Sequence, residues 1–324
     1  MKTLIVLLAL FGAGFGSTAI AQCQLNISCG HSPEGLAFDT SGNLWAAFYD
    51  TNTVANLGIP TGPVIFAPTS VTSFHTGLNG PTRLAFSYPL VSCGLSPAPA
   101  AVLNVTNSLG NTVSLYAVSE YGTPLLATVS GVQRPLGIAV DANCTAFVAD
   151  NSTSAISAIG IWWDDPYFPP VIDSESSINA DSIGDRFDAP GALAFSGQNL
   201  FVATNDGTVR SYNDIAFWYG ILIGLPDTEV APLVTFADGA SGGPTGIAFD
   251  SQGNVYVCYY YSSDVVKYSP QGAKLLTITN AVSQPEGIAV QPSTGEIYVA
   301  NTGNGGFITV YNPTGNYAGR LFNF

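Results

Sequence analysis

The stretch Pro244-Thr245-Gly246-Ile247-Ala248-Phe249-Asp250, followed by the turn and strand Asn254-Val255-Tyr256-Val257, decides the fold. A proline opens it, apolar residues alternate around a small Ala, and Asp closes it before a Gly-Asn turn, as in a short strand entering a hairpin. The phrase recurs five times: Pro33-Glu34-Gly35-Leu36-Ala37-Phe38-Asp39, Pro81-Thr82-Arg83-Leu84-Ala85-Phe86-Ser87, Pro135-Leu136-Gly137-Ile138-Ala139-Val140-Asp141, Pro190-Gly191-Ala192-Leu193-Ala194-Phe195-Ser196 and Pro285-Glu286-Gly287-Ile288-Ala289-Val290-Gln291. Successive prolines stand 48, 54, 55, 54 and 41 residues apart. A period of that length is a propeller blade rather than a solenoid coil.

Each phrase leads into a second apolar strand, among them Asn43-Leu44-Trp45-Ala46, Ala146-Phe147-Val148-Ala149 and Glu296-Ile297-Tyr298-Val299-Ala300. Third strands alternate, as in Thr208-Val209-Arg210-Ser211-Tyr212, and fourth strands such as Lys274-Leu275-Leu276-Thr277-Ile278 complete the unit. The chain is thus expected to be all-β, a six-bladed β-propeller with four-stranded antiparallel blades. The Ala at the centre of every phrase predicts an innermost strand crowded against the ring axis. Residues 315–324 supply the outermost strand of the sixth blade, with Tyr317, Leu321, Phe322 and Phe324 to bury.

The 324 residues carry 8 Lys and Arg against 22 Asp and Glu, a formal net charge of −14. Too few cations remain for a basic face, which excludes nucleic-acid binding and argues against an anionic membrane surface. Apolar residues at 47 % allow a sizeable core, so disorder is excluded. Lys2, the apolar run from Leu4 to Phe15 and the small residues Ala19 and Ala21 read as an export signal. That run is too short to span a bilayer, and no second one of about 18 residues follows. The domain reading is therefore a signal peptide at 1–21, an N-terminal segment at 22–31 and the propeller at 32–324, in a secreted or periplasmic protein. In an oxidising space cysteines pair. Cys93 and Cys144 lie in equivalent first-to-second-strand connections of neighbouring blades and are the expected bridge, Cys23 and Cys29 can close a small loop, and Cys258 reads as a buried thiol.

The phrase Pro-x-Gly-Ile-Ala-Val-Asp followed by Gly-Asn-apolar-Tyr-Val-Ala resembles the NHL-repeat family of β-propellers, most closely in the blades opening at Pro135, Pro244 and Pro285. That resemblance implies the fold and leaves the activity open, since such propellers include binding modules, lyases and lactonases. The Glu34-Gly35 phrase is also similar to the start of gluconolactonase and senescence-marker-like propellers, whose first-blade Glu joins Asn and Asp of later blades around a divalent metal. Here Leu136, Gly191 and Thr245 stand where that family needs Asn, Asn and Asp.

In a four-stranded blade the connections into the first strand and between strands two and three share one end of the ring. The residues after the six prolines, Glu34, Thr82, Leu136, Gly191, Thr245 and Glu286, therefore open at the mouth of the central channel. Blades one and six are neighbours, so Glu34 and Glu286 approach across the ring closure, with Arg83 within reach. Two such carboxylates can hold Ca²⁺ or another divalent cation or share a proton, or they are rim residues that Arg83 neutralises. His31 adds a candidate contact at the mouth, Thr245 another, and a lyase reading requires a His. The acidic run from Asp173 to Asp188 reads as a mouth-face loop, either mobile or Ca²⁺-binding. Phe217, Trp218 and Tyr219 in an apolar insert are candidates for partner contact or for local core. Sequons fall at Asn26, Asn104, Asn143 and Asn151. The functional expectation is a binding module for a protein, peptide or glycan, with a metal-assisted hydrolase, lactonase or lyase at the channel mouth as the alternative.

Overall fold

The structure, a computed structural model, describes residues 32–60, 72–74, 77–88, 101–118, 122–142, 144–162, 171–178, 189–213, 234–237 and 243–323. Blade one is β1 (Pro33–Phe38), β2 (Leu44–Phe48), β3 (Thr53–Asn56) and β4 (Thr72–Phe74). Blade two is β5 (Pro81–Ser87), β6 (Ala101–Asn107), β7 (Thr112–Val118) and β8 (Leu125–Ser130). Blade three is β9 (Pro135–Val140), β10 (Thr145–Asp150), β11 (Ala155–Trp162) and β12 (Val171–Ile178). Blade four is β13 (Ala192–Ser196), β14 (Asn199–Ala203), β15 (Thr208–Asn213) and β16 (Val234–Ala237). Blade five is β17 (Pro244–Phe249), β18 (Val255–Tyr259), β19 (Asp264–Tyr268) and β20 (Lys274–Ile278). Blade six is β21 (Pro285–Val290), β22 (Ile297–Asn301), β23 (Phe307–Tyr311) and β24 (Tyr317–Asn323). Each is an antiparallel sheet in chain order, and together they form the six-bladed propeller.

Because every blade is completed by its own strands, no strand pairing closes the ring, and the main contact between neighbours is packing of their faces. The Ala and the Leu or Ile of the phrase carry that packing. Ala37 shares a core cluster with Leu84, Ala85 with Ile138, and Ala139 with Leu193. Ala194 meets Ile247, Ala248 meets Ile288, and at the closure Ala289 meets Leu36. Each blade thus offers a small residue to the branched side chain of the next, which is close packing of small against large. The crowding expected at the Ala is thus against the inner strand of the neighbouring blade, and it recurs two residues earlier, at the third position of the phrase, which shares the Ala's face of the strand.

That position is glycine in four blades. A Cβ on Gly35 would stand 2.5 Å from Thr82 O, on Gly137 2.8 Å from Leu193 N and on Gly246 2.7 Å from Glu286 O, while one on Gly287 would strike Glu34 O. The innermost strands approach so closely that only a residue without a side chain fits. Just after the opening proline, the register of β1, β5, β9, β17 and β21 slips by one residue against the second strand. Such a bulge re-aims the side chain beside it, and here it turns the position after the proline toward the mouth.

Hairpin tips staple neighbours together on the mouth face. Gly80 N–H donates to Asn52 Oδ1 at 2.6 Å, Arg134 N–H to Asn111 Oδ1 at 2.7 Å, and Gln284 N–H to Ser263 Oγ at 3.1 Å. At the other end the Asp of the phrase folds the turn: Asp250 Oδ1 accepts from the backbone N–H of Gln252 and Asn254, and Asp39 does the same for Ser41 and Asn43.

Three further expectations are resolved. The acidic run is a loop only in part, because Asp173 and Glu175 belong to β12, the outermost strand of blade three. The tail does form the outermost strand of blade six, yet within it Leu321 is buried against blade one while Tyr317 is 41 % exposed. Cys258 is buried and free, and Cys144 is disulfide-bonded. Cys23, Cys29, Cys93, His31, His75, Phe217, Trp218 and Tyr219 lie outside the described residues. No helix among the described residues is long and apolar enough to cross a membrane.

Two outcomes are expected. Gly246→Ala should lower stability in denaturant unfolding by about 1–3 kcal/mol through overpacking of β17 on β21. Peptide mapping after non-reducing digestion should recover Cys144 joined to Cys93, and Cys93 as a free thiol would show that the bridge is to another residue.

Candidate functional site

Blade two breaks the glycine rule: where the other phrases place Gly or Ala, it places Arg83. The side chain runs into the channel and its two terminal nitrogens are fully committed. Nη1 donates to Glu34 O at 3.0 Å and Thr82 O at 3.1 Å. Nη2 donates to Thr245 O at 2.9 Å, Glu286 O at 3.2 Å and Glu286 Oε2 at 2.8 Å. One guanidinium therefore ties the inner strands of blades one, two, five and six. Five donors in a rigid planar fork suit a ring of carbonyls, which the single point of a Lys ammonium would not span.

The geometry brings Glu34 and Glu286 together across the closure with Arg83 between them. The guanidinium is closer to Glu286, at 2.8 Å, than to the Glu34 carboxylate, at 3.7 Å. Their side chains are 18 % and 19 % exposed, and that of Arg83 is 12 % exposed. One cation thus serves two largely buried carboxylates. Burial first, and the neighbouring Glu286 charge second, raise the Glu34 carboxyl from 4.5 to about 7, against the opposing pull of Arg83 and a hydrogen bond from Ser32. Near pH 7 Glu34 is therefore only partly ionised, which lessens the excess negative charge of the trio.

The arrangement does not fit a divalent ion. The guanidinium occupies the space between the two carboxylates where a cation would bind, and it also takes the nearby carbonyls that would complete a coordination shell. Among the described residues no three His, Cys, Asp or Glu side chains group as metal ligands. Thr245, the remaining predicted mouth residue, is turned inward in part: its hydroxyl donates to Pro285 O at 2.7 Å.

Above Arg83 the channel widens into a cup of about 950 Å³. Glu34, Thr82, Leu136, Gly191, Thr245 and Glu286 all line it, with Arg83 as floor. Beneath lies a small apolar cavity of about 40 Å³ under Arg83, walled by Leu36, Ile138, Leu193, Ile247 and Ile288. The channel is therefore closed at one level, by one side chain.

The cup wall holds Asn151, read in the sequence only as a sequon, and residues that motif reading passed over: Tyr49, Leu109, Asn111, Arg134, Asn205, Tyr260 and Tyr261. Tyr261 is 72 % exposed and Leu109 59 %. They come from the turns between strands two and three and from the residues before the first strands. The alternation of connections already placed those segments at the mouth, and that was the available signal. Of the sequons, Asn104 is fully buried within β6, where its amide donates to Ala85 O and Ser87 Oγ, so the folded chain does not present it.

No protein-family model matches the chain. No curated protein matches it either. Solved structures do. The chain is similar to a streptogramin B lyase structure at 11 % identity and TM-score 0.59, over 91 % of this chain and 84 % of that one. It is similar to a selenomethionine-substituted virginiamycin B lyase from Staphylococcus aureus at 12 % identity and TM-score 0.57, covering 89 % and 83 %. A catalytically inactive virginiamycin B lyase from the same organism, with quinupristin, aligns at 11 % identity and TM-score 0.57 over 92 % and 86 %. At such identities the likeness shows a shared propeller fold.

The floor sets a pH dependence. A carboxyl whose pKa is higher in the folded state binds its proton more tightly there, so stability should fall as pH rises from about 4.5 to about 7 and level off above. Glu34→Gln should remove that slope and stabilise the protein at pH 8 by roughly 2–3 kcal/mol. Arg83→Ala should cost about 3–5 kcal/mol at pH 7, because it leaves buried carboxylates without their cation, and less near pH 4. Denaturant unfolding at the three pH values checks both.

Proposed function

We propose that the protein is an exported, NHL-like propeller that binds a peptide, a glycan or an exposed segment of a protein in the cup at the channel mouth. The observation that carries this reading is the contrast between floor and wall. At the floor the Arg83 terminal donors and the facing carbonyls are already paired with each other. Around the wall, the Tyr49, Tyr260 and Tyr261 hydroxyls and the Asn205 amide make no hydrogen bond among the described residues. Pockets of roughly 300–1,000 Å³ suit ligands of small-molecule to oligomer size. A concave cup of this volume suits a short ligand better than a flat folded surface. Export is supported by the signal-like N-terminal stretch and agrees with the disulfide at Cys144.

Replacing Tyr261 and Asn205 together by Ala should abolish retention on arrays of glycans and peptides. Leu275→Ala, an exposed site on β20, should leave retention unchanged. Equal retention by all three proteins would place binding elsewhere.

A second reading is supported by Glu34 itself, a carboxyl raised to about 7 at the base of a cup, which is the range in which a group can give and take protons at neutral pH. The likeness to streptogramin B lyase structures supports testing quinupristin as substrate. Under this reading the wild type consumes quinupristin and Glu34→Gln loses at least about 100-fold in rate. Under the binding reading neither protein consumes it.

A further inference from the structure

The residue just before each first strand in blades two to six is left-handed: Gly80, Arg134, Ala189, Gly243 and Gln284 have φ of 62, 51, 45, 51 and 45°. That conformation suits glycine and is strained for a residue with a Cβ. Blades two and five use glycine, and blade four uses Ala. Blade three places an arginine there, one of only 8 basic residues in the chain. Arg134 is exposed and lines the cup.

Its surroundings are specific. Asn111 Oδ1 accepts the Arg134 backbone N–H at 2.7 Å. One lone pair of the amide oxygen is thereby engaged by the backbone, and the Asn111 NH₂ group stays open to a ligand. The Arg134 guanidinium makes no ion pair or hydrogen bond among the described residues. Two adjacent side chains therefore present chiefly donors: the whole Arg134 guanidinium and the Asn111 NH₂ group. A group with acceptors only is the complement, and a carboxylate matches a guanidinium fork in two parallel bonds. Arg83 does not compete for it, because its terminal donors are committed to carbonyls and to Glu286.

We propose that Asn111 and Arg134 form a carboxylate-reading corner of the cup and that the ligand is a saccharide bearing a uronate. This rests on the binding reading given above and names its ligand class. The saccharide follows from the rest of the wall. The rings of Tyr49, Tyr260 and Tyr261 offer flat faces for the C–H side of a sugar, and the amides of Asn151 and Asn205 offer partners for hydroxyls. Among the described residues the large aliphatic side chains of the lining are Leu109 and Leu136, few to hold the side chains of a peptide. The net charge of −14 repels anions at long range, yet at physiological salt screening acts over about 8 Å, so contact with one unpaired guanidinium decides the outcome.

The test is calorimetric titration of the full chain in 0.15 M salt with trigalacturonate, maltotriose, triglycine and triglycine amide. The expected result is that trigalacturonate binds at least ten-fold more tightly than maltotriose and more tightly than triglycine. Arg134→Gln should weaken trigalacturonate about ten- to hundred-fold and leave maltotriose unchanged, and Arg134→Lys should recover part of the loss. Arg134→Gly, which relieves the backbone, should melt no lower than wild type while losing the uronate preference, so that a loss is read as recognition rather than unfolding. Equal binding of trigalacturonate and maltotriose, an unchanged affinity in Arg134→Gln, tighter binding of triglycine than of its amide and of trigalacturonate, or no binding of any probe would each overturn the uronate corner. The cup as a binding site falls separately, and only if the Tyr261 and Asn205 double variant keeps its array retention.

Discussion

A guanidinium held at the ring axis by backbone carbonyls is the constraint around which this propeller is organised. Blades one and six share no strand, so nothing in the hydrogen-bonded sheets prevents the ring from opening between them. What joins them is the core around Leu36, Ala289 and Leu321, and Arg83, which takes carbonyls from both blades and from blade five opposite. Burying a guanidinium is favourable only where most of its donors are met, and the carbonyls converging on the axis, with Glu286, meet those of its two terminal nitrogens, leaving only Nε–H without a partner among the described residues. The carbonyls are available because a glycine at the third phrase position lets the inner strands come close.

The same interaction shapes the mouth. With the channel blocked at one level, the space above becomes a cup with a floor rather than a pore. Its two carboxyl groups cannot both be charged at low cost beside a single cation, and the one further from the guanidinium, Glu34, takes the proton. Stability, ring closure and the electrostatics of the cup are thus linked through one side chain. A change at Arg83 would alter the surface that a ligand meets and the junction that keeps the blades together.

Much of the architecture was legible in the sequence because a propeller repeats its solution. The six phrases mark the inner strands, the Asp-x-x-Gly-Asn pattern marks hairpins whose carboxylate accepts backbone N–H groups, and the spacing sets the blade. The approach of Glu34, Glu286 and Arg83 was legible too, since it follows from blade order alone. Other features were not. The start of the acidic run, Asp173 to Ile178, reads as a loop by its polarity, yet an outermost strand has no blade beyond its edge and tolerates polar residues. The Ala showed that a small residue is needed on a crowded inner strand without showing that the demand comes from the branched side chain of the next blade. The cup wall was missed because its residues sit in turns, where no periodicity draws attention to them.

The repeat does contain a further signal, which lies in its exceptions. Aligned on their own prolines, the blades act as six readings of one local problem, and the common answer at the third phrase position is glycine or alanine. At the residue before the proline, blades two and five have glycine, blades three, four and six place Arg134, Ala189 and Gln284 there with strain, and blade one has Ser32. An arginine stands at the first kind of position in blade two and at the second kind in blade three. Neither follows from the packing that dictates the other blades, and each departs from the least strained local choice. Where a local rule is broken within an otherwise regular sequence, the compensation must come from somewhere else in the molecule or from outside it. For Arg83 it is internal, in the carbonyls and Glu286. The Arg134 guanidinium has no such internal partner among the described residues, and an exposed cation on a strained backbone at the wall of a cup has its natural complement in a ligand.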